Sequence, residues 1–244
     1  MIRRDDLLNG NFIFQDTEGF LFGMDAVLLA HYPVLRRGDN VLDLCSGNGA
    51  VPLIMEPAGR GKGVHFTGLE IQKSAAALAE RSVAYNGLGE SIRMIQGDVR
   101  EAARLLPAAS FSLVTVNPPY MKGGHGLKGE SEARTIARHE VLLTLADVVR
   151  EGSRMLKMNG RFAMVHRPER LAEIFAELTG NHLTPKRMRL VYPTAGKAPT
   201  MVLIEAVKGG NPGLKAEPPL IVYNEDRSYT KELLTIYGMT EEAK

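Results

Sequence analysis

The chain has 244 residues, 44% hydrophobic and 24% charged, with a net charge of +2. That is an ordinary soluble composition, sized for one large α/β domain or a domain with a small appendage. No run approaches the ~18 apolar residues needed to cross a membrane. No apolar segment of a signal peptide follows Met1-Ile-Arg-Arg-Asp-Asp6. The lone cysteine, Cys45, excludes an internal disulfide and a cysteine-built metal site, so a reducing cytoplasm is expected.

Residues 1–38 form a cover segment ahead of a core over 39–207, with an extension over 208–244, all within one domain of 1–244. Phe12-Ile-Phe-Gln15 and Gly19-Phe-Leu-Phe22 suit short strands or a hairpin. Four phenylalanines in so short a span suggest either packing or a lid over a ligand. Met24 to His31 has the pattern of a helix capped by Asp25, with Pro33 just beyond its end. Val41-Leu-Asp-Leu-Cys-Ser-Gly-Asn-Gly49 runs an apolar strand into a glycine turn, and Ala50 opens a helix with Pro52 in its first turn. Gly47 and Gly49 permit positive φ and close approach of backbone to ligand. Asp43 at the strand end can accept from an ammonium or a hydroxyl.

A second strand, Gly63 to Glu70, ends in an acid at the spacing where a carboxylate reaches ribose hydroxyls. Glycine loop plus acid fits a nicotinamide dinucleotide as well as S-adenosylmethionine (SAM). The dinucleotide pattern is incomplete, however, because Pro52 stands where its third glycine belongs. Lys73 to Asn86 is an alanine-rich helix stopped by Asn86-Gly87. Ile92 to Asp98 is a third strand, and Phe111 to Val116 is a short, apolar, β-branched run that marks a buried one.

That buried strand delivers Asn117-Pro118-Pro119-Tyr120. The prolines fix φ near about −65° and carry no N–H. Each residue before a proline is pushed to extended geometry. The result is a stiff bracket presenting one amide, one bare carbonyl and one aromatic ring. It matches a planar substrate with an NH2 group: the Asn117 oxygen takes one N–H, the Pro118 carbonyl the other, and Tyr120 stacks on the ring. Met121 to Gly129, with four glycines and two lysines, has the composition of a mobile loop beside a site.

Ser131 to Met158 is expected to be a long helical stretch ended by Gly160. Arg161 to His166 is a fifth strand and Glu169 to Leu178 a helix. Lys186 to Tyr192 and Pro199 to Val207 suit an antiparallel strand pair. Residues 208–219 are an irregular connection, and the tail holds a strand-like run and a short helix. From Lys157 to Lys197, eight Lys and Arg face three Glu, an asymmetry that suggests a polyanionic partner. Alternating strands and helices imply a mostly parallel sheet with helices on both faces. The glycine loop and the bracket then share its carboxyl edge.

Asn-Pro-Pro-Tyr in this place resembles the motif of SAM methyltransferases that methylate adenine N6, cytosine N4 or a glutamine amide. The acid-first loop Asp43 to Gly49 resembles their cofactor loop, although Cys45 stands where a glycine is common, so a non-glycine backbone is expected there. Together with Phe22-Gly23, Asp25-Ala26, Leu28-Leu29, Glu70, Ala137-Arg138-His139-Glu140 and the stretch Tyr229 to Gly238, these motifs make the chain similar over nearly its whole length to the bacterial valine-tRNA adenine-N6 methyltransferases. The resemblance implies a Rossmann-like α/β fold, with a mostly parallel seven-stranded sheet and an antiparallel last strand. It assigns the methyl transfer to Asn117, Pro118, Pro119 and Tyr120. It assigns SAM to Asp25, Asp43, Cys45, Ser46, Gly47 and Gly49, then to Glu70, Ile71, Asp98, Val99 and Asn117, with Asp98 approaching the cofactor's adenine amino group.

The partner implied is an RNA, an anticodon-loop adenine of tRNA above all. Lys122, Arg138, Arg167, Lys186, Arg187, Arg189 and Lys197 are the candidate RNA contacts. No metal and no membrane are expected, and a monomer is favoured. Ribosomal-RNA or DNA adenine, a release-factor glutamine, and a non-catalytic RNA-binding role stay open as rivals. The glutamine enzymes carry a sizeable N-terminal helical domain that the residues before the first sheet strand do not supply.

Overall fold

The computed structural model of the chain describes residues 1–19, 21–119 and 143–239. The central sheet is laid down by strands β3 (Asn40–Leu44), β4 (His65–Glu70), β5 (Ile92–Gln96), β6 (Phe111–Val116), β7 (Leu156–His166), β8 (Leu183–Tyr192) and β9 (Met201–Lys208). Their order is β5-β4-β3-β6-β7-β9-β8. The first five run parallel, and β9 is antiparallel to both its neighbours. This is the seven-stranded arrangement expected from the sequence, with the last of the seven inserted in reverse. Two short strands, β10 (Lys215–Ala216) and β11 (Leu220–Ile221), extend the far edge along β8 and bring the sheet to nine.

Period-2 alternation splits the core into two layers. Val41, Leu113, Ala163, Val165 and Leu203 face one way, onto helices α1 (Met24–His31), α2 (Ala50–Gly59) and α3 (Lys73–Tyr85). Leu42, Leu44, Val114, Val116, Phe162 and Met164 face the other way. They meet α4 (Ala102–Leu105), α5 (Leu145–Met155) and α6 (Leu171–Gly180). Helix α7 (Lys231–Ile236) closes the first layer through Leu233. No helix of the described residues is long and apolar enough to cross a membrane.

Four expectations change. Of the expected long helix, the described residues hold α5, begun by a reciprocal capping box between Thr144 and Asp147; residues 131–142 lie outside the described part. It ends at Met155, not near Gly160. Leu156 is already extended and pairs with Phe111, so Leu156 to Gly160 belong to β7. A register shift between Phe111 and Leu113, with Asn159 at φ +62°, absorbs the extra residues. The partner of β2 (Phe12–Asp16) is β1 (Ile2–Asp6), not Gly19 to Phe22. Helix α1 starts one residue before Asp25, with Gly23 at its N-cap; Asp25 accepts from Ala26 N–H, at 2.9 Å.

The phenylalanines of β2 pack rather than cover a ligand. Phe12 and Phe14 meet Tyr85 of α3 edge-on, with centroids 5.8 and 5.4 Å apart. Phe22 packs on the first core layer.

Candidate active site

The parallel strands fix where the site residues stand. Leu44 pairs with Leu69 on one side and Val116 on the other, and Glu70 pairs with Gln96. The glycine loop after β3, Glu70 at the end of β4, Asp98 just past β5 and Asn117 just past β6 therefore share the carboxyl edge, where open α/β sheets bind ligands.

The loop is held in left-handed turns. Gly47 has φ +56° and Gly49, the N-cap of α2, has φ +82°. A Cβ on Gly49 would stand 3.2 Å from that of Ala79. Cys45 departs from expectation: its φ is +58°, the conformation glycine favours, so cysteine occupies a glycine-type backbone instead of avoiding it. Burial and the carboxylates of Glu70, Asp43 and Asp98 push its thiol up. One Glu70 oxygen holds the loop, accepting from Gly47 N–H, and the other accepts from Gln72 N–H at the start of α3, each at 2.8 Å.

Asp43 is buried, and the Thr115 hydroxyl donates to its Oδ1 at 2.7 Å. Burial raises its pKa to about 7; Ser46 and then Thr115 oppose the rise, and the charge of Glu70 adds to it. Asp43 Oδ2 and Ser46 Oγ are buried and close to each other, and among the described residues neither makes a well-formed hydrogen bond. Buried polar atoms are normally satisfied. A buried carboxylate and hydroxyl with unfilled hydrogen-bonding capacity, beside two left-handed glycines, fit a polar ligand lying on this loop.

Past β5, Asp98 accepts from Arg100 N–H at 2.9 Å and is gripped by the Arg100 guanidinium. That partner holds its carboxyl below the usual range. Val99 beside it is buried, while Ile71 is 38% exposed beyond Glu70. Asn117 and Pro119 are half-buried and Pro118 is buried, one residue beyond the pairing of Val116 with Leu44 and Met164. Tyr120, Lys122, Arg138 and the loop 121–129 lie outside the described residues.

Two of the basic candidates are engaged internally. Arg187 pairs with Glu217 at 3.1 Å and Glu205 at 3.4 Å, and Arg189 with Glu232 at 2.6 Å. The charge excess of 157–197 was counted without these acids, which come from β9 and the C-terminal extension. Lys197 is exposed, in the loop from β8 to β9. Lys186 reaches Asn211 O at 3.2 Å, and Arg167 donates to Thr200 O at 3.0 Å.

Sequence reading missed Thr115 and the N-terminal brace. Gln15 of β2 accepts from Asn48 in the glycine loop at 3.2 Å and from Phe22 N–H at 3.1 Å. A lone buried glutamine in a strand gives no local signal of such a contact.

This strand order, with a glycine loop and acids along one edge, is the architecture of a Rossmann-like methyltransferase. Residues 24–186 match the methyltransferase small domain family; the chain belongs to that family and is a methyltransferase using S-adenosylmethionine. A tRNA1(Val) (adenine(37)-N6)-methyltransferase of Tolumonas auensis is 27% identical over 224 residues, covering 92% of this chain and 91% of its own. One from Porphyromonas gingivalis is 28% identical over 189 residues, covering 75% and 72%. The crystal structure of a predicted O-methyltransferase from Agrobacterium tumefaciens superposes with a TM-score of 0.70 at 26% identity, covering 89% of this chain and 97% of that one.

Proposed function

We propose that the chain methylates the exocyclic N6 of an adenine in RNA, and specifically an anticodon-loop adenine of a tRNA. The observation that carries the reading is the Asn117-Pro118-Pro119 bracket at the end of β6, one strand from the glycine loop of β3. Its two neutral acceptors match the two N–H groups of an NH2 better than the single proton of a hydroxyl. The names of the relatives from Tolumonas auensis and Porphyromonas gingivalis support adenine N6 and tRNA.

SAM, when bound, would supply an electrophilic methyl carbon, its S–CH3 bond breaking as S-adenosylhomocysteine leaves. Asp43 and Ser46 offer the buried polar atoms, Glu70 an acceptor for ribose hydroxyls, and Asp98 one for an adenine amino group. The N6 lone pair of the substrate is delocalised into its ring. Hydrogen bonds from both N–H groups, to the Asn117 oxygen and the Pro118 carbonyl, favour localising it. These bonds strengthen as N6 becomes positive, and the proton then leaves N6 to water, so a strong base is not required. Asn117 thus serves charge that develops in the transition state. The target base must first leave its stack.

The test is methyl transfer from labelled SAM into a panel of tRNA transcripts, followed by nucleoside analysis. N6-methyladenosine in one tRNA is the expected product. Label found instead in ribosomal RNA, in DNA, in a glutamine amide or on an oxygen would overturn the substrate while leaving the enzyme class intact.

A further inference from the structure

We propose that the outer face of the hairpin β1–β2 and helix α3 is an RNA-docking surface, where Arg4 and Arg81 take phosphates of the substrate RNA away from the methylated base. The proposal rests on the RNA reading above. Arg4 lies 4.7 Å from the Phe12 ring centre and 4.8 Å from that of Tyr85, and Arg81 lies 4.0 Å from that of Phe14. Both arginines are exposed, and Tyr85 is 50% exposed. Neither guanidinium has a carboxylate or hydrogen-bond partner among the described residues. The acids of β1 are already engaged: Asp5 by Arg3 at 2.7 Å and by Gln15, Asp6 by Leu8 N–H at 2.7 Å.

Arg187 shows the contrast. It too stacks on a ring, Tyr32 at 4.6 Å, but Glu205 and Glu217 neutralise it. At Arg4 and Arg81 the rings seat the guanidinium groups and, among the described residues, leave the donor forks without an acid. A planar fork held in place suits a phosphate. Cations interleaved with aromatics are the surface chemistry of nucleic-acid binding.

The location agrees. Helix α3 begins at Lys73, just past Glu70 on the carboxyl edge. Arg81 is then ~12 Å and Tyr85 ~18 Å along the helix axis from that edge, a span an RNA engaged at Asn117 readily covers. Alternation along β2 places Phe12 and Phe14 on the docking side, while Gln15 on the other side holds Asn48 of the glycine loop. One short strand therefore touches both the proposed RNA face and the cofactor loop.

The experiment is tRNA binding by the full chain across a range of salt. The double variant Arg4→Glu, Arg81→Glu should bind ~10–100-fold more weakly near 0.1 M salt, and its plot of log affinity against log salt should be shallower by about 2, one counterion for each phosphate lost. Its SAM affinity should match the wild type. Arg4→Lys with Arg81→Lys keeps the charge without the planar stack, and should retain most of the salt slope with intermediate affinity. Unchanged affinity and slope in the Glu variant overturn the surface alone. Equal losses in the Lys and Glu variants assign both arginines to packing, which also overturns it. Competition by an acidic peptide as strong as by RNA overturns the RNA preference of the face. Wild-type protein that binds no RNA overturns the surface and the RNA reading together.

Discussion

Burial, more than any neighbour, sets the chemistry of Asp43. Its pKa is raised from 3.8 to about 7, so the fold favours the neutral acid. The folded state then holds a proton that the unfolded chain has lost between about pH 4 and 7, and the contribution of Asp43 to stability falls as pH rises through that window. An ammonium or hydroxyl donated by SAM would favour the carboxylate, in a setting where Thr115 already donates and the Glu70 charge opposes. SAM should therefore bind with proton release below about pH 7, its affinity falling up to about tenfold per pH unit there and levelling above. Calorimetry in two buffers of different ionisation enthalpy measures the proton; affinity constant from pH 5.5 to 8 would remove Asp43 from the cofactor site. Asn117 should behave differently. If its oxygen serves mainly the developing charge on N6, Asn117→Ala lowers kcat by on the order of 10²–10³ with little change in KM, SAM affinity or stability. Wild-type turnover by that variant would reduce the bracket to a proline turn. These residues were legible in the sequence because each lies at or near the end of an apolar strand, Asp43 four residues before Gly47 and Asn117 directly before Pro118. Cys45 was read the wrong way because its left-handed backbone is imposed by the loop, and no local propensity announces that.

At the scale of elements, strands and helices were legible wherever apolar period and stop signals agreed, as in α3 with its Asn86-Gly87 end. Leu156 to Gly160 were misplaced because helix end and strand start adjoin without a loop, and Phe111 is a partner distant in sequence. The hairpin was misread for the same reason. Ile2 to Asp6 is too polar to announce a strand, and it pairs only because β2 is there to receive it. That hairpin has a job its sequence does not show. Gln15, almost fully buried, joins Asp5, Phe22 and Asn48, so it fastens the first strands to the cofactor loop. Gln15→Ala removes the acceptor of Phe22 N–H and of the Asn48 amide, while Asp5 keeps Arg3, and should cost ~1–3 kcal/mol of stability. It should also weaken SAM binding, whereas Asn117→Ala should not. A variant with lowered melting temperature but intact SAM affinity would show that the brace serves folding only.

Across the whole molecule the two edges of the sheet carry different duties. Val41, Leu113 and Arg161 are level with one another near the amino edge. Leu44, Val116 and Met164 are level about 10 Å further along the strands, next to the proposed chemistry. At the amino edge Arg161 is 3% exposed and bonds Asp39 at 2.7 Å and Val34 O at 2.6 Å. Asp39 in turn accepts from Ser112 Oγ at 2.6 Å and Arg36 N–H at 2.7 Å. The pair ties the entry to β3 to β6 and β7, strands that meet it only through the fold. Sequence reading therefore counted Arg161 as part of a basic surface, although it is a core residue. Removing one partner of a buried pair strands the other, at a typical cost of 3–5 kcal/mol. Arg161→Met should accordingly lower stability by about that amount in denaturant unfolding. Well below its melting temperature it should keep wild-type SAM affinity and kcat, because nothing it touches reaches the carboxyl edge. Asn117→Ala should give the opposite pattern, full stability with lost turnover. The double variant should then show the two effects adding, as expected for sites with no shared partner. If Arg161→Met instead lowers kcat in protein shown to be folded, the amino-edge network is coupled to the site, and the division of duties between the two edges fails.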